Sequence, residues 1–348
     1  MRKLNKRVTS HDVAKLAGVS RGVVSAVLNG TPGIRVSEEK RRDVLKAIEE
    51  LNYSVDAQAR SMRTGKSGCI AAYGNLDNPF FLQVLQGAQR VCTERGYHLL
   101  LYGYNGLESK QSLIALFNQR RIDGLLTKDV TGYADDKWAA MVKEAGLPYM
   151  SVEGYPERED VPSVLLDYGA SIRLALDELY KLTGLPPIYV ELYNGPEYAP
   201  NWGDRHRLAA YKDWMREKLL PETVWTCKAD GEDADWWDER LRQLPRPSAL
   251  LANWSRGGLL LYRSAHRLNL RIGKELYVMA ADNTMGANAY MVPALSSVEV
   301  PYLAMGEAGA GRLLDMIEGK HPQASPKLWV PATLVQREST PGIPMVGG

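Results

Sequence analysis

Apolar residues in the first fifty positions recur three and four apart, and polar caps and a glycine divide them into short runs. Thr9 is placed to cap a helix through 12–17, which Gly18 ends. Ser20 is placed to cap a second helix carrying Val23, Val24, Val27 and Leu28. The link Gly18-Val19-Ser20 has the length of the turn in a helix-turn-helix. Ser37 opens a third helix, with Glu38 and Glu39 near its positive end. Val44, Leu45, Ile48 and Leu51 are expected to close a small core over the first two helices.

The pattern changes at Ser67, where short apolar runs begin to alternate with amphipathic stretches. Strands are predicted at 69–73, 98–104, 124–127, 149–152, 163–167, 188–193, 224–228, 249–252, 276–280 and 296–300. Helices are predicted at 80–95, 108–120, 135–145, 171–182, 205–218, 236–243, 256–268 and 302–318. This βα alternation implies parallel sheets covered by helices on both faces. There are too many strands for one sheet, so two α/β lobes are expected, with a ligand cleft between them. A last strand at 327–337 contains Pro331, so it should be an edge strand or break there.

The formal net charge of +2 divides unevenly. Residues 1–67 hold 14 basic and 7 acidic side chains, a net of +7, and the rest of the chain is −5. This suggests a basic module for a polyanion on a mildly acidic body, the alternative being a solvated basic face. No apolar stretch approaches the ~20 residues of a membrane span, and the charged start lacks a signal-peptide core, so a cytoplasmic protein without a membrane partner is expected. Cys69, Cys92 and Cys227 show no CxxC spacing, which argues against a disulfide framework or a zinc site. No HExxH, GxSxG or P-loop is present, and the five histidines show no triad or metal spacing. An enzyme is therefore not expected, nor is a cofactor.

The run 8–20 (VTSHDVAKLAGVS), followed by 24–30 (VSAVLNG), 36–40 (VSEEK) and 51–53 (LNY), resembles the LacI/GalR family of bacterial repressors. The segment 57–67 (AQARSMRTGKS) looks like the family hinge, and 78–81 (NPFF), 94–97 (ERGY), 121–125 (RIDGL) and 161–164 (VPSV) continue the likeness. The resemblance covers about residues 8–340. It implies a small all-α helix-turn-helix domain at 1–56, a hinge helix at 57–67, and a periplasmic-binding-protein-like α/β core at 68–340. That core comprises two Rossmann-like lobes with parallel sheets: lobe one at about 68–164 and 300–326, lobe two at about 165–299 and 327–340. Residues 341–348, rich in Gly, Pro and small apolar residues, are expected to be a frayed tail.

For DNA, the resemblance implies a homodimer on a near-palindromic double-stranded operator. The second helix exposes Arg21, Gly22 and Ala26. Arg21 can pair with guanine or hold a phosphate, Ala26 can touch a thymine methyl, and Gly22 has no side chain to read with. Thr9, Ser20, Ser25 and Asn29 match phosphate-contacting positions, with helix capping as their alternative role. In the hinge, Ala59, Met62 and Arg63 match DNA contacts, and Met62 stands where a leucine usually wedges into the minor groove. Val55-Asp56 replaces the usual Pro-Asn.

For the effector, the resemblance implies contacts from Arg207, Asn253, Asp282, Glu153 and Lys128, with Phe80, Tyr198, Trp202 and Trp254 as aromatic candidates. Each aromatic either stacks on a ligand or packs in the core. Trp254 stands where relatives carry a small acid. Lys128 signals an anionic ligand or simply pairs with Glu153. A sugar-like effector leads, followed by a purine-like or acidic metabolite. The competing class is a ligand-binding protein that does not touch DNA.

Overall fold

The computed structural model describes residues 8–29, 35–53, 65–103, 107–193, 200–227, 233–283, 286–320 and 326–341. The chain divides between Ser67 and Gly68 into two units. Of the hinge expected at 57–67, residues 57–64 lie outside the described residues, as do residues 342–348 of the tail expected at 341–348.

The first unit contains α1 (Ser10–Leu16), α2 (Arg21–Asn29) and α3 (Glu38–Glu50). Thr9 stands at the N-terminus of α1, where Asp12 accepts its backbone N–H and its hydroxyl at 2.8 and 2.7 Å. Gly18 supplies the positive φ of +63° that the turn requires. Ser37 Oγ accepts from Lys40 N–H at the start of α3. Val13, Ala14, Val24, Val27, Val44 and Ala47 form the core. Leu45, expected in that core, is 49 % exposed. Ala47 takes its place, because positions 44, 47, 48 and 51 keep one face of a 3.6-residue helix whereas 45 lies about 100° round from 44.

The second unit holds two six-stranded sheets. The first contains β1 (Cys69–Gly74), β2 (His98–Gly103), β3 (Gly124–Lys128), β4 (Tyr149–Val152), β5 (Ser163–Leu165) and β11 (Lys327–Trp329), ordered β11-β5-β4-β3-β1-β2. The second contains β6 (Pro187–Leu192), β7 (Val224–Cys227), β8 (Ser248–Ala252), β9 (Leu276–Ala280), β10 (Ser296–Glu299) and β12 (Thr333–Val335), ordered β12-β10-β9-β8-β6-β7. All pairings are parallel except β10 with β12. The central strands are buried on both faces, which explains their nearly continuous apolar runs. Alternate residues serve separate cores: Ile70 and Leu126 pack on one face of the first sheet, Ala71 and Leu125 on the other.

The covering helices are α4 (Pro79–Glu94), α5 (Leu107–Asn118), α6 (Asp136–Ala145), α7 (Tyr168–Thr183), α8 (Trp202–Glu217), α9 (Ala234–Gln243), α10 (Ser255–Arg267) and α11 (Tyr302–Ile317). Asn78, Asp135 and Asp167 cap α4, α6 and α7 by accepting from backbone N–H groups. Trp254 precedes α10 and makes no side-chain cap. None of the described helices is long and apolar enough to cross a membrane.

The chain passes between the sheets after β5, after β10 and after β11. The strand predicted at 327–337 is broken around Pro331, and its halves join different sheets. Residues 327–329, expected in the second lobe, therefore pair with β5 in the first.

Candidate functional site

In the first unit, Arg21 and Gly22 are exposed on α2 and Ser25 is half-buried beside them. Ser20 is exposed, and its Oγ accepts from Val23 N–H at 3.4 Å, so it caps α2 while remaining at the surface. Thr9 is exposed as well as engaged with Asp12. Ala26 corrects the expectation: it is 5 % exposed. It lies about 140° round the helix from Arg21, toward the buried side, and cannot offer its methyl to a base as Arg21 offers its guanidinium. The Asn29 side chain, Ala59, Met62 and Arg63 lie outside the described residues. The exposed groups present hydroxyls and a guanidinium, a chemistry suited to phosphates and guanine edges.

In the second unit, a cavity of about 270 Å³ is lined from both lobes. Phe80, Lys128, Glu153 and Tyr302 come from the first, and Asn201, Trp254, Ser255 and Arg256 from the second. Lys128 ends β3, Glu153 follows β4 and Trp254 lies two residues beyond β8, so the cavity sits at the carboxyl ends of parallel strands. Lys128 Nζ is 2.6 Å from Glu153 Oε2, with both side chains almost wholly buried. Lys128 also donates to the Asp129 carbonyl at 2.7 Å. Glu153 further accepts from Tyr302 at 3.2 Å and from the Tyr168 hydroxyl. Burial first, and then the Glu153 charge, pushes both phenols well above their ordinary range, so they stay protonated as donors. The Phe80 ring stacks on Tyr302 at 4.4 Å between centroids.

Of the expected effector residues, Phe80, Lys128, Glu153 and Trp254 line the cavity. Arg207, Asn253 and Asp282 lie behind its wall, at most 1 % exposed. The Arg207 guanidinium donates to the carbonyls of Asn253 at 2.8 Å and Ala281 at 2.9 Å. Asn253 is held by Leu192 N–H and C=O, and Asp282 accepts from Ser255 N–H. Trp202 packs against His206 and Tyr168 instead of lining the cavity. Tyr198 is outside the described residues. The sequence reading missed Tyr302, Asn201, Ser255 and Arg256. Tyr302 and Asn201 could have been found from their places at the starts of helices on the crossings and loops around the cleft. Ser255 and Arg256 adjoin Trp254 and share its place after β8.

Comparison with known proteins matches both units. Residues 9–56 match bacterial regulatory proteins, lacI family, and residues 192–340 match a periplasmic binding protein-like domain. The HTH-type transcriptional repressor PurR of Proteus mirabilis (strain HI4320) is 29 % identical over 97 % of this chain and 98 % of that protein. A lac repressor dimer bound to operator and the anti-inducer ONPF shares the fold, with a TM-score of 0.74 at 22 % identity, over 96 % of this chain and 99 % of that one. The transcriptional regulator CelR in complex with cellobiose is 25 % identical with a TM-score of 0.62, over 96 % of this chain and 100 % of that one. With the helix-turn-helix, the two parallel-sheet lobes and the cavity between them, these matches show a chain whose residues 9–56 match the lacI family of bacterial regulatory proteins and which is similar over nearly its whole length to transcriptional repressors of the LacI/GalR kind.

Proposed function

We propose that this protein is a ligand-responsive transcriptional repressor that binds a near-palindromic operator as a homodimer. The observation that carries this reading is the pairing, in one chain, of a helix-turn-helix with a two-lobed core whose cavity lies between strand ends. Thr9, Ser20, Arg21 and Ser25 serve the DNA face, and residues 57–67 act as the hinge, with Met62 as the minor-groove wedge. An exposed apolar groove formed by Leu82 and Leu85 of α4 with Leu99 and Leu101 of β2 supports association with a second copy. A repressor acts where the chromosome is, so a cytoplasmic location follows.

The effector in this reading is sugar-like. Glu153 meets the charge of Lys128, which weakens the case for an acidic metabolite and leaves buried hydrogen-bonding groups suited to hydroxyls. The similarity to a regulator solved with cellobiose supports it. A purine-like effector is the second reading, favoured by the Phe80, Tyr302 and Trp254 rings at the cavity and by similarity to repressors named PurR. The test is selection of bound duplexes from a random pool, followed by a thermal-shift screen of sugars and purines. A palindromic consensus, with its binding altered by a sugar, is expected. Recovery of no consensus contradicts the repressor reading, and a response to purines alone replaces the first effector class with the second.

A further inference from the structure

The loop 129–133 leaves β3 of the first lobe and is anchored at both ends. The buried Asp129 carboxylate accepts from Thr127 Oγ1 at 2.6 Å and from Ser151 Oγ at 2.7 Å. The Tyr133 hydroxyl accepts from Lys110 and donates to Asp135, each at 2.9 Å. Between these anchors, Val130 and Thr131 line the cavity. Gly132 takes a φ of +80°, and its N–H donates to the Glu153 carbonyl at 2.9 Å.

The start of α8 meets this loop from the second lobe. A Cβ at Gly132 would stand 2.1 Å from Trp202 Cβ. One at Gly203 would stand 3.0 Å from Thr131 Cγ2 and 3.1 Å from the Tyr168 ring. A glycine of each lobe thus faces a side chain of the other, and the two backbones come this close because neither glycine carries a Cβ. Trp202 Cβ is fixed to the helix backbone and cannot swing aside. The turn that carries it is itself braced: Asn201 and Asp204 exchange hydrogen bonds at 3.1 and 2.9 Å, and the His206 and Trp202 rings lie 3.9 Å apart. Trp202 Nε1 is buried with no hydrogen-bond partner among the described residues.

We propose that these contacts form a latch between the lobes, with Gly132 and Gly203 as its positioning residues. Val130 and Thr131 face the cavity while Thr131 and Gly132 seat on the other lobe, so one short loop both senses a ligand and sets the lobe angle. The unpaired Trp202 donor opposes closure, because opening returns it to water, and a bound ligand tips the balance toward the closed latch. This rests on the reading of the chain as a regulator that responds through its cavity.

The experiment uses the full-length protein and a duplex selected from a random pool. Gly132→Ala, Trp202→Gly and the double variant form a cycle read by urea unfolding. The strain of alanine at a φ of +80° is common to both arms and cancels, whereas the clash exists only while residue 202 has a Cβ. A coupling of about tenfold or more in the unfolding equilibrium is expected. In amide hydrogen exchange, Gly132→Ala should speed exchange in 129–133 and, across the lobe boundary, in 201–206, with α1–α3 at wild-type rates. Its affinity for the duplex should shift about fivefold or more, although position 132 lies outside the DNA-binding unit. Gly203→Ala should reproduce the exchange and affinity effects, and it stands in for Gly132→Ala if that variant does not fold.

Additive effects in the cycle overturn the contact. Faster exchange confined to 129–133 shows a strained loop with no hold on the second lobe, and overturns the latch. Wild-type duplex affinity in a variant whose exchange rises in both segments overturns the regulatory role. A wild-type protein without sequence preference fails the repressor reading instead, and the exchange result still decides the latch.

Discussion

Lys128 and Glu153 were legible in the sequence because polar residues at the ends of buried apolar strands have few places to go but a cleft. Their partnership has a measurable consequence. Removing one member of a buried pair leaves the other charge uncompensated, so Lys128→Met should destabilise the protein by about 3–5 kcal/mol in urea unfolding. Adding Glu153→Gln should recover much of that loss; an unchanged stability in the single variant would show that the pair is solvated. Arg207 was legible only as a residue type. Its direction is set by the carbonyls of Asn253 and Ala281, and a chain reading cannot bring backbone groups from the ends of two separate strands to one guanidinium. Ala26 misled for a similar reason, since its exposure is set by the phase of α2 against its small core. Arg21 is exposed, and Arg21→Ala should cost ~1–3 kcal/mol of operator affinity and relax one base position. A uniform loss on every sequence, with a shallower salt slope, would assign it to phosphate instead.

The strands and helices of the lobes were nearly all readable, because burial on both sheet faces makes apolar runs and the caps are local. What could not be read was which sheet a short edge strand joins. The halves flanking Pro331 have similar composition, and only the crossing of the chain assigns them. Nor could the approach of α4 to α11 be read. A Cβ at Gly87 would stand 2.0 Å from the Leu303 carbonyl oxygen, and one at Gly306 2.1 Å from that of Val84. These are backbone atoms and cannot swing aside, so Gly87→Ala should force the helices apart at about 1–3 kcal/mol or more, read as a lower Tm. A wild-type Tm would mean that the helices pack more loosely than this.

A second link between helices joins α9 to α10, where Arg267 and Ser264 contact Asp238. Arg267 beside it holds the Asp238 carboxyl below its ordinary 3.8. Because the folded value is the lower one, the contribution is complete above about pH 4 and is lost as pH falls through the folded value. Asp238→Asn should therefore flatten the acid limb of a stability-against-pH curve and lower the plateau at neutral pH. An acid limb of unchanged slope would show the pair to be silent.

The charge division of the sequence, +7 on residues 1–67 and −5 on the remainder, matches the division of the chain into its two units at Ser67. Binding driven by the basic unit should weaken steeply with salt, because each phosphate contact releases counterions. The most direct test is fluorescence anisotropy of the full-length protein on a selected two-fold symmetric duplex and on the same bases scrambled, with and without a cavity ligand. Two protomers per duplex, clear preference for the symmetric sequence, a negative salt slope, and a change in operator affinity on adding the ligand are expected. Equal affinity for both duplexes, or operator binding indifferent to a ligand that demonstrably occupies the cavity, would contradict it.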